Sequence, residues 1–203
     1  SSNPNLQNIP IRTERGREIR KVFVAPADRL LVAADYSQIE LRLLAHLSKD
    51  EALIQAFRAG EDIHTITAAT LFHKAAADVT GDERSVAKTV NFSITYGISE
   101  FGLARDLGIS RQEAGSYIKR YHEQYPRVIS WLDQQAETGK EQGYVQTLFH
   151  RRRYLPELAS QNYNVYQFGV RAAMNAPVQG TAADLIKIAM VKAADAFSSA
   201  NLD

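Results

Sequence analysis

In the run ERSVAKTVNFSITYG, Glu83 to Gly97, two cations and two aromatic rings recur at every fourth residue: Arg84, Lys88, Phe92 and Tyr96. On an α-helix a step of four residues turns the side chain by only about 40° around the axis, so the four would stand in one continuous ridge. Val86, Ala87, Val90 and Ile94 fall on the opposite side, where they could pack on a core. A guanidinium and an ammonium can grip phosphate oxygens while rings stack on a base or sugar, so the ridge suits a nucleotide. The same spacing also suits a helix whose Phe92 and Tyr96 are ordinary core residues and whose cations face solvent.

A second candidate is DYSQIELR, Asp35 to Arg42, directly after the apolar run LLVAA. A carboxylate at the end of a strand is held by the backbone direction and suits a magnesium ligand for phosphoryl transfer; it equally suits a helix cap. One carboxylate is not a metal site. Glu40, on the helix that follows, could only approach Asp35, and Asp28, Asp62, Asp78 and Asp82 read as turn or cap residues. His64, in EDIHT at a helix start, could touch a phosphate or cap the helix, whereas His46, His73, His122 and His150 show no mutual metal-ligand spacing. The chain has no Cys, which excludes disulfides, thiolate zinc sites and Cys nucleophiles and leaves oxygen or His ligands, favouring hard cations. It also lacks the G-x-S-x-G, Walker and G-x-G-x-x-G patterns.

The elements that must position these residues are mostly helical. KVFVAP, Lys21 to Pro26, and RLLVAAD, Arg29 to Asp35, read as two short strands, and Ser37 is the expected N-cap of the helix that carries Glu40. Helices follow at 51–58, 62–72 with Asp62 as its cap, 83–96 ended by Gly97, 99–107, 110–125 with a Ser110/Glu113 capping box and Pro126 ending it, and 128–142 ended by Gly143. YVQTLFHRRRYLP suggests a hairpin carrying the arginines, and two last helical runs, 163–175 and 181–198, are expected on either side of Pro177 and Gly180. The opening SSNPNLQNIPIRT reads as a turn series. The fold class is α+β and mostly helical, and the small sheet seen in the first forty residues is expected to be cut short, because no completing strand follows the last helix.

With 203 residues, 45% hydrophobic and 23% charged, the composition is that of a globular domain large enough to bury a core. No apolar run approaches the roughly 18 residues of a membrane span and no signal peptide is evident, so a cytoplasmic place and no membrane partner are expected. The net charge of +1 argues against a generally basic coat protein, yet Arg12, Arg15, Arg17, Arg20 and Lys21 cluster, and Arg151, Arg152 and Arg153 are consecutive. Local positive charge on a neutral body fits an anionic partner held at one place, and each cluster alone also fits a solvated surface.

Taken in order, DYSQIELRLLAHLS, RSVAKTVNFSITYG and NAPVQGTAADLIK resemble the polymerase domain of the family A DNA polymerases, the family of bacterial DNA polymerase I, and the resemblance runs over essentially the whole chain. It implies a partial right-hand fold: residues 1 to about 45 in the palm, about 46 to 165 in the fingers, and about 166 to 203 in helices returning to the palm. The thumb and last palm strands are absent from this sequence. It implies a template-directed DNA polymerase of replication and repair, a monomer that takes primer-template DNA and deoxynucleoside triphosphates and works with two magnesium ions. Asp35 would be the first of two metal-binding aspartates, with the Tyr36 carbonyl beside it.

Tyr36, Ser37, Gln38, Ile39 and Glu40 would line the nucleotide, Glu40 filling the space of a ribose 2′-hydroxyl. Arg84 and Lys88 would hold the triphosphate with His64 assisting. Phe92 would lie on the sugar, giving discrimination against dideoxynucleotides, and Tyr96 would stack at the template-base position. Asn5, Gln7, Asn8, Arg12, Arg151, Arg152, Arg171, Asn175 and Gln179 would contact DNA.

The family's second aspartate, in a His-Asp-Glu turn, is not in this sequence, so the 203 residues alone are expected to be inactive in primer extension. His150 stands where Gly is common, Tyr166 where a basic residue is usual, and Val170 where Glu is usual. A non-catalytic DNA- or nucleotide-binding relative of the family is the competing reading, and a helical protein with chance motifs a third.

Overall fold

A computed structural model describes residue 9 and residues 13–200. The chain divides into two compact units, Ser1–Ser37 and Gln38–Asp203. In the first unit, α1 (Glu14–Arg20) is capped by the Thr13 hydroxyl, which accepts from the Gly16 N–H, and Glu14 and Arg20 suit the two ends of its dipole. The turn series expected at 1–13 lies, but for residues 9 and 13, outside the described residues, and α1 was not expected. The two strands expected at 21–26 and 29–35 do not form; both stretches are irregular. A strand exists by pairing, and among the described residues of this unit no second strand lies beside either stretch.

In the second unit, α2 (Ile39–Ser48) begins one residue later than expected: its N-cap is Gln38, in the left-handed region at φ 54°, and not Ser37. Asp50 caps α3 (Glu51–Arg58) and Asp62 caps α4 (Ile63–Phe72), each through its carboxylate. α5 (Gly81–Thr95) starts two residues before the expected boundary, because Thr80 and Glu83 close a full capping box, and Gly97 at φ 66° ends it. α6 (Glu100–Leu107) is capped by Ser99, and α7 (Arg111–Gln124) by Ser110. Only half of the box expected at α7 forms, since the Glu113 carboxylate accepts from the Tyr117 hydroxyl instead. Pro126 is the first residue of α8 (Pro126–Gln142), which suits a residue with no N–H to satisfy.

The arginine hairpin forms as expected, β1 (Tyr144–Gln146) pairing antiparallel with β2 (Arg152–Tyr154) in the register Tyr144 opposite Tyr154. The two closing helices are in fact one, α9 (Tyr163–Ser199), with Pro177 inside it. Proline removes one ladder bond and costs roughly 3 kcal/mol. Burial of Ala173, Pro177, Val178 and Thr181 along one stripe opposes that cost, and the Thr181 hydroxyl donates to the Pro177 carbonyl at 2.6 Å.

The core joins α2 to α8 around Leu41, Leu44, Leu53, Ile63, Leu71, Val90, Leu103, Tyr121, Tyr125 and Val128, with Val178 of α9. A satellite of Val145, Leu155 and Ala173 fastens the hairpin between α8 and α9. No helix among the described residues is long and apolar enough to cross a membrane.

Candidate nucleotide and nucleic-acid interface

The α5 ridge forms as its spacing demands. Ala87, Val90, Asn91 and Ile94 are buried, while Arg84 and Lys88 are exposed and Phe92 and Tyr96 are half-buried. At the outer end, Arg84 clasps the Asp62 carboxylate through Nε at 2.5 Å and Nη2 at 3.3 Å. Burial alone would raise the Asp62 carboxyl, but hydrogen bonds from Arg84 and Thr65, the Arg84 charge and the His64 N–H outweigh it and hold it at about 2. Asp62 thus caps α4 and serves as counter-ion to the ridge, a second role its place in the sequence did not suggest.

Behind the ridge lies His64, 3% exposed, with its ring centroid 5.8 Å from that of Phe92. Its Nδ1 lies 3.0 Å from the Asn91 amide nitrogen, and the Asn91 carbonyl oxygen accepts from the Thr67 hydroxyl at 3.0 Å. Burial lowers the His64 pKa, and of the charges nearby Asp62 opposes this while Arg84 and Lys88 add to it. Asn91 and Thr67 were not among the expected site residues. The signal for Asn91 was there: an amide on a helix face otherwise made of Ala87, Val90 and Ile94.

At the inner end, the Tyr96 hydroxyl donates to Glu40 Oε2 at 2.9 Å and accepts from Gln179 Nε2 at 3.1 Å. One phenol therefore ties α2, α5 and α9 together. Beyond it, Arg171, Asn175 and Gln179 repeat the four-residue spacing on α9 and, with Tyr96, Arg153 and Phe168, line an open cavity of about 340 Å³. The Asn175 side-chain oxygen is buried and has no hydrogen-bond partner among the described residues.

The hairpin arginines separate. Arg153 lines the cavity, and the Arg152 guanidinium stacks 4.5 Å over the Tyr144 ring. Arg151 is tied inward, donating to Asp184 Oδ1 at 2.7 Å and the Gly180 carbonyl at 2.9 Å.

Asp35, Tyr36 and Ser37 close the first unit in irregular chain. Gln38 keeps a buried Oε1 with no hydrogen-bond partner among the described residues, and Ile39 packs against the core. Asn5, Gln7, Asn8 and Arg12 lie outside the described residues. The Asp35 carboxylate and Tyr36 carbonyl are the hard oxygen donors that magnesium takes. They are too few to enclose it, and among the described residues no three His or acidic side chains gather into a metal site.

The model of DNA polymerase family A matches residues 1–203. Over 192 residues the chain is 56% identical to DNA polymerase I of Bacillus subtilis (strain 168), and equally to that of Geobacillus stearothermophilus. Each alignment covers 94% of this chain and 22% of the relative, so the chain spans about a fifth of the length of these relatives. Its fold is similar to the POL domain of Pol1 from M. smegmatis, solved in complex with DNA primer-template and dNTP. The TM-score is 0.91 at 44% identity, covering 99% of this chain and 36% of that one.

Proposed function

The chain belongs to DNA polymerase family A, and from that premise we propose that it is part of a template-directed DNA polymerase, joining deoxynucleotides to a primer 3′-hydroxyl. The observation that carries the reading is the α5 ridge: two exposed cations, then two half-buried rings, ending on the Tyr96 bond to Glu40 and Gln179. Lys88 and Arg84 bind the incoming triphosphate and offset the charge that gathers on the departing phosphates. Arg84 exchanges its Asp62 partner for phosphate as it does so, and His64 assists from behind the ridge. Phe92 lies against the sugar and disfavours dideoxynucleotides. Tyr96 stacks at the template-base position, and Glu40 occupies the space of a ribose 2′-hydroxyl.

Arg171, Asn175 and Gln179 on α9, with Arg153 in the same cavity and Arg152 next to it on the hairpin, hold primer-template DNA at backbone and minor groove, which suits an enzyme that copies any sequence. Arg151 steadies that surface through α9, and Asn5, Gln7, Asn8 and Arg12 are further DNA contacts in this reading. Asp35 and the Tyr36 carbonyl would hold magnesium, which when bound activates the attacking hydroxyl and neutralises the leaving pyrophosphate. In this reading residues 1 to about 45 are palm, about 46 to 165 fingers and about 166 to 203 helices returning to the palm, in a monomeric cytoplasmic enzyme.

The test is Lys88→Ala in the full-length protein that carries this chain. Primer extension should lose about 10²- to 10³-fold in kcat/KM for the deoxynucleotide, with primer-template Kd within about twofold. A loss below threefold would remove the ridge from the triphosphate site.

A further inference from the structure

Helices α4 and α5 meet along a polar seam as well as an apolar one. Thr67 and Asn91 are fully buried and His64 nearly so, and burying three polar side chains is costly unless each finds a partner. Here they satisfy one another in series. The Thr67 hydroxyl donates to the Asn91 carbonyl oxygen at 3.0 Å, which leaves the Asn91 NH₂ facing His64 Nδ1, also at 3.0 Å. Turning the amide over would leave the Thr67 hydrogen only the Tyr125 oxygen, 3.5 Å away, a much poorer bond. An amide NH₂ has no lone pair to give, so Nδ1 is the acceptor and a neutral ring carries its proton on Nε2. Burial and the charges of Arg84 and Lys88 favour that neutral ring over the cation, against Asp62.

We infer that Asn91 is a positioning residue of the nucleotide site, fixing His64 as the tautomer whose single N–H, on Nε2, is kept for an acceptor such as a phosphate oxygen. This rests on the reading of His64 as a group that assists the triphosphate. The opposite tautomer would turn a lone pair toward phosphate oxygens and lose the hydrogen bond. Thr67 acts one step further back, holding the amide in the orientation that donates. Because Asn91 precedes Phe92 on α5, the residue that sets the imidazole and the ring beside the imidazole are placed by the same turn of helix.

The experiment is ¹⁵N-histidine NMR with steady-state kinetics on the full-length protein carrying this chain, the His64 signals being assigned with His64→Gln. The ring should show Nε2 protonated and Nδ1 bare. At a pH where the ring is neutral, Asn91→Asp, whose carboxylate can only accept, should move the proton from Nε2 to Nδ1 and raise the deoxynucleotide KM about tenfold with kcat within about twofold, the size of one lost hydrogen bond. Thr67→Val should blur the single tautomer and raise KM less, and Thr67→Ser should restore both. Should Asn91→Asp fail to fold, Thr67→Val decides the matter: an unchanged His64 spectrum overturns the inference. So does a parent protein with its proton on Nδ1. If the tautomer moves but KM does not, and His64→Gln also leaves KM unchanged, the inference falls through His64 having no part in nucleotide binding, with the tautomer assignment intact.

Discussion

Helices α5 and α9 carry the same device, a ridge of polar or aromatic residues four apart, and are held in place by opposite means. α5 is held by bonds made to measure: its face toward α4 includes the Thr67–Asn91–His64 series, and its cationic end is clasped by Asp62. α9 is held by closeness. Gly139 of α8 faces Ala173, Gly169 faces Leu158, and Gly180 lies against Thr147 and Arg151 so tightly that a Cβ at Gly180 would be 2.5 Å from Thr147 Cγ2. The difference follows from the ridges themselves. Exposed cations such as Arg84 need counter-charge to be oriented before a ligand comes, whereas the α9 ridge ends in amides that need only a surface in the right place. Asn175 keeps a side-chain oxygen with no hydrogen-bond partner among the described residues.

If closeness holds α9, filling it should be the most damaging change. Gly180→Val puts a branched side chain where neither Thr147 nor the bonded Arg151 can yield without breaking the hairpin contact. Overpacking of this kind costs about 1–3 kcal/mol, so a fall in Tm is expected. Ser85→Ala on the exposed flank of α5 should stay within about 0.5 kcal/mol. Equal Tm for the two variants would mean that α9 is not held by close approach.

The clasp on α5 should show in acid. Asp62 is depressed from 3.8 to about 2, so its contribution is present above 3.8 and is lost as the pH falls from there through 2. Its side chain is about a third exposed, and after screening the pair is worth about 1 kcal/mol. Asp62→Asn keeps the cap and removes the charge. Its stability should trail the parent's near neutrality and converge with it at the acid end. Arg171→Met on α9, at a residue for which no ion pair is found among the described residues, should show no such convergence. A gap between Asp62→Asn and parent that persists undiminished at the acid end would discard the clasp.

These contrasts were unevenly legible in the sequence. The α5 ridge could be read because helical period and end signals are local: Gly97 stops the helix, and Asp62 and Ser110 cap others as expected. The strands at 21–26 and 29–35 were misread because a strand needs a partner that its own residues do not specify. α1 was missed because seven residues with no apolar period carry little beyond their Thr13 cap. Pro177 was read as a break because its cost is local while the burial opposing it comes from distant elements. Of the residues named by resemblance, Glu40, Tyr96 and Gln179 are joined by hydrogen bonds across 56 and 83 residues of chain. Asn91 and Thr67, 24 residues apart and plain in composition, became visible only as a bonded pair.

The two ridges are joined by a hydrogen bond at the Tyr96 hydroxyl, and the smallest effect is expected there. The Tyr96 hydroxyl donates to Glu40 and accepts from Gln179, so Tyr96→Phe removes two hydrogen bonds at once. Yet Gln179 is exposed and Glu40 half-exposed, so both can turn to water, and the expected loss is only about 0.5–1 kcal/mol. A double-mutant cycle separates the two bonds. If α5 and α9 are joined through this phenol, Gln179→Ala should cost measurably less in the Tyr96→Phe background than in the parent, and Glu40→Ala should do the same for the bond to α2. Full additivity at Gln179 would show that the two ridges are set independently, each by its own manner of packing.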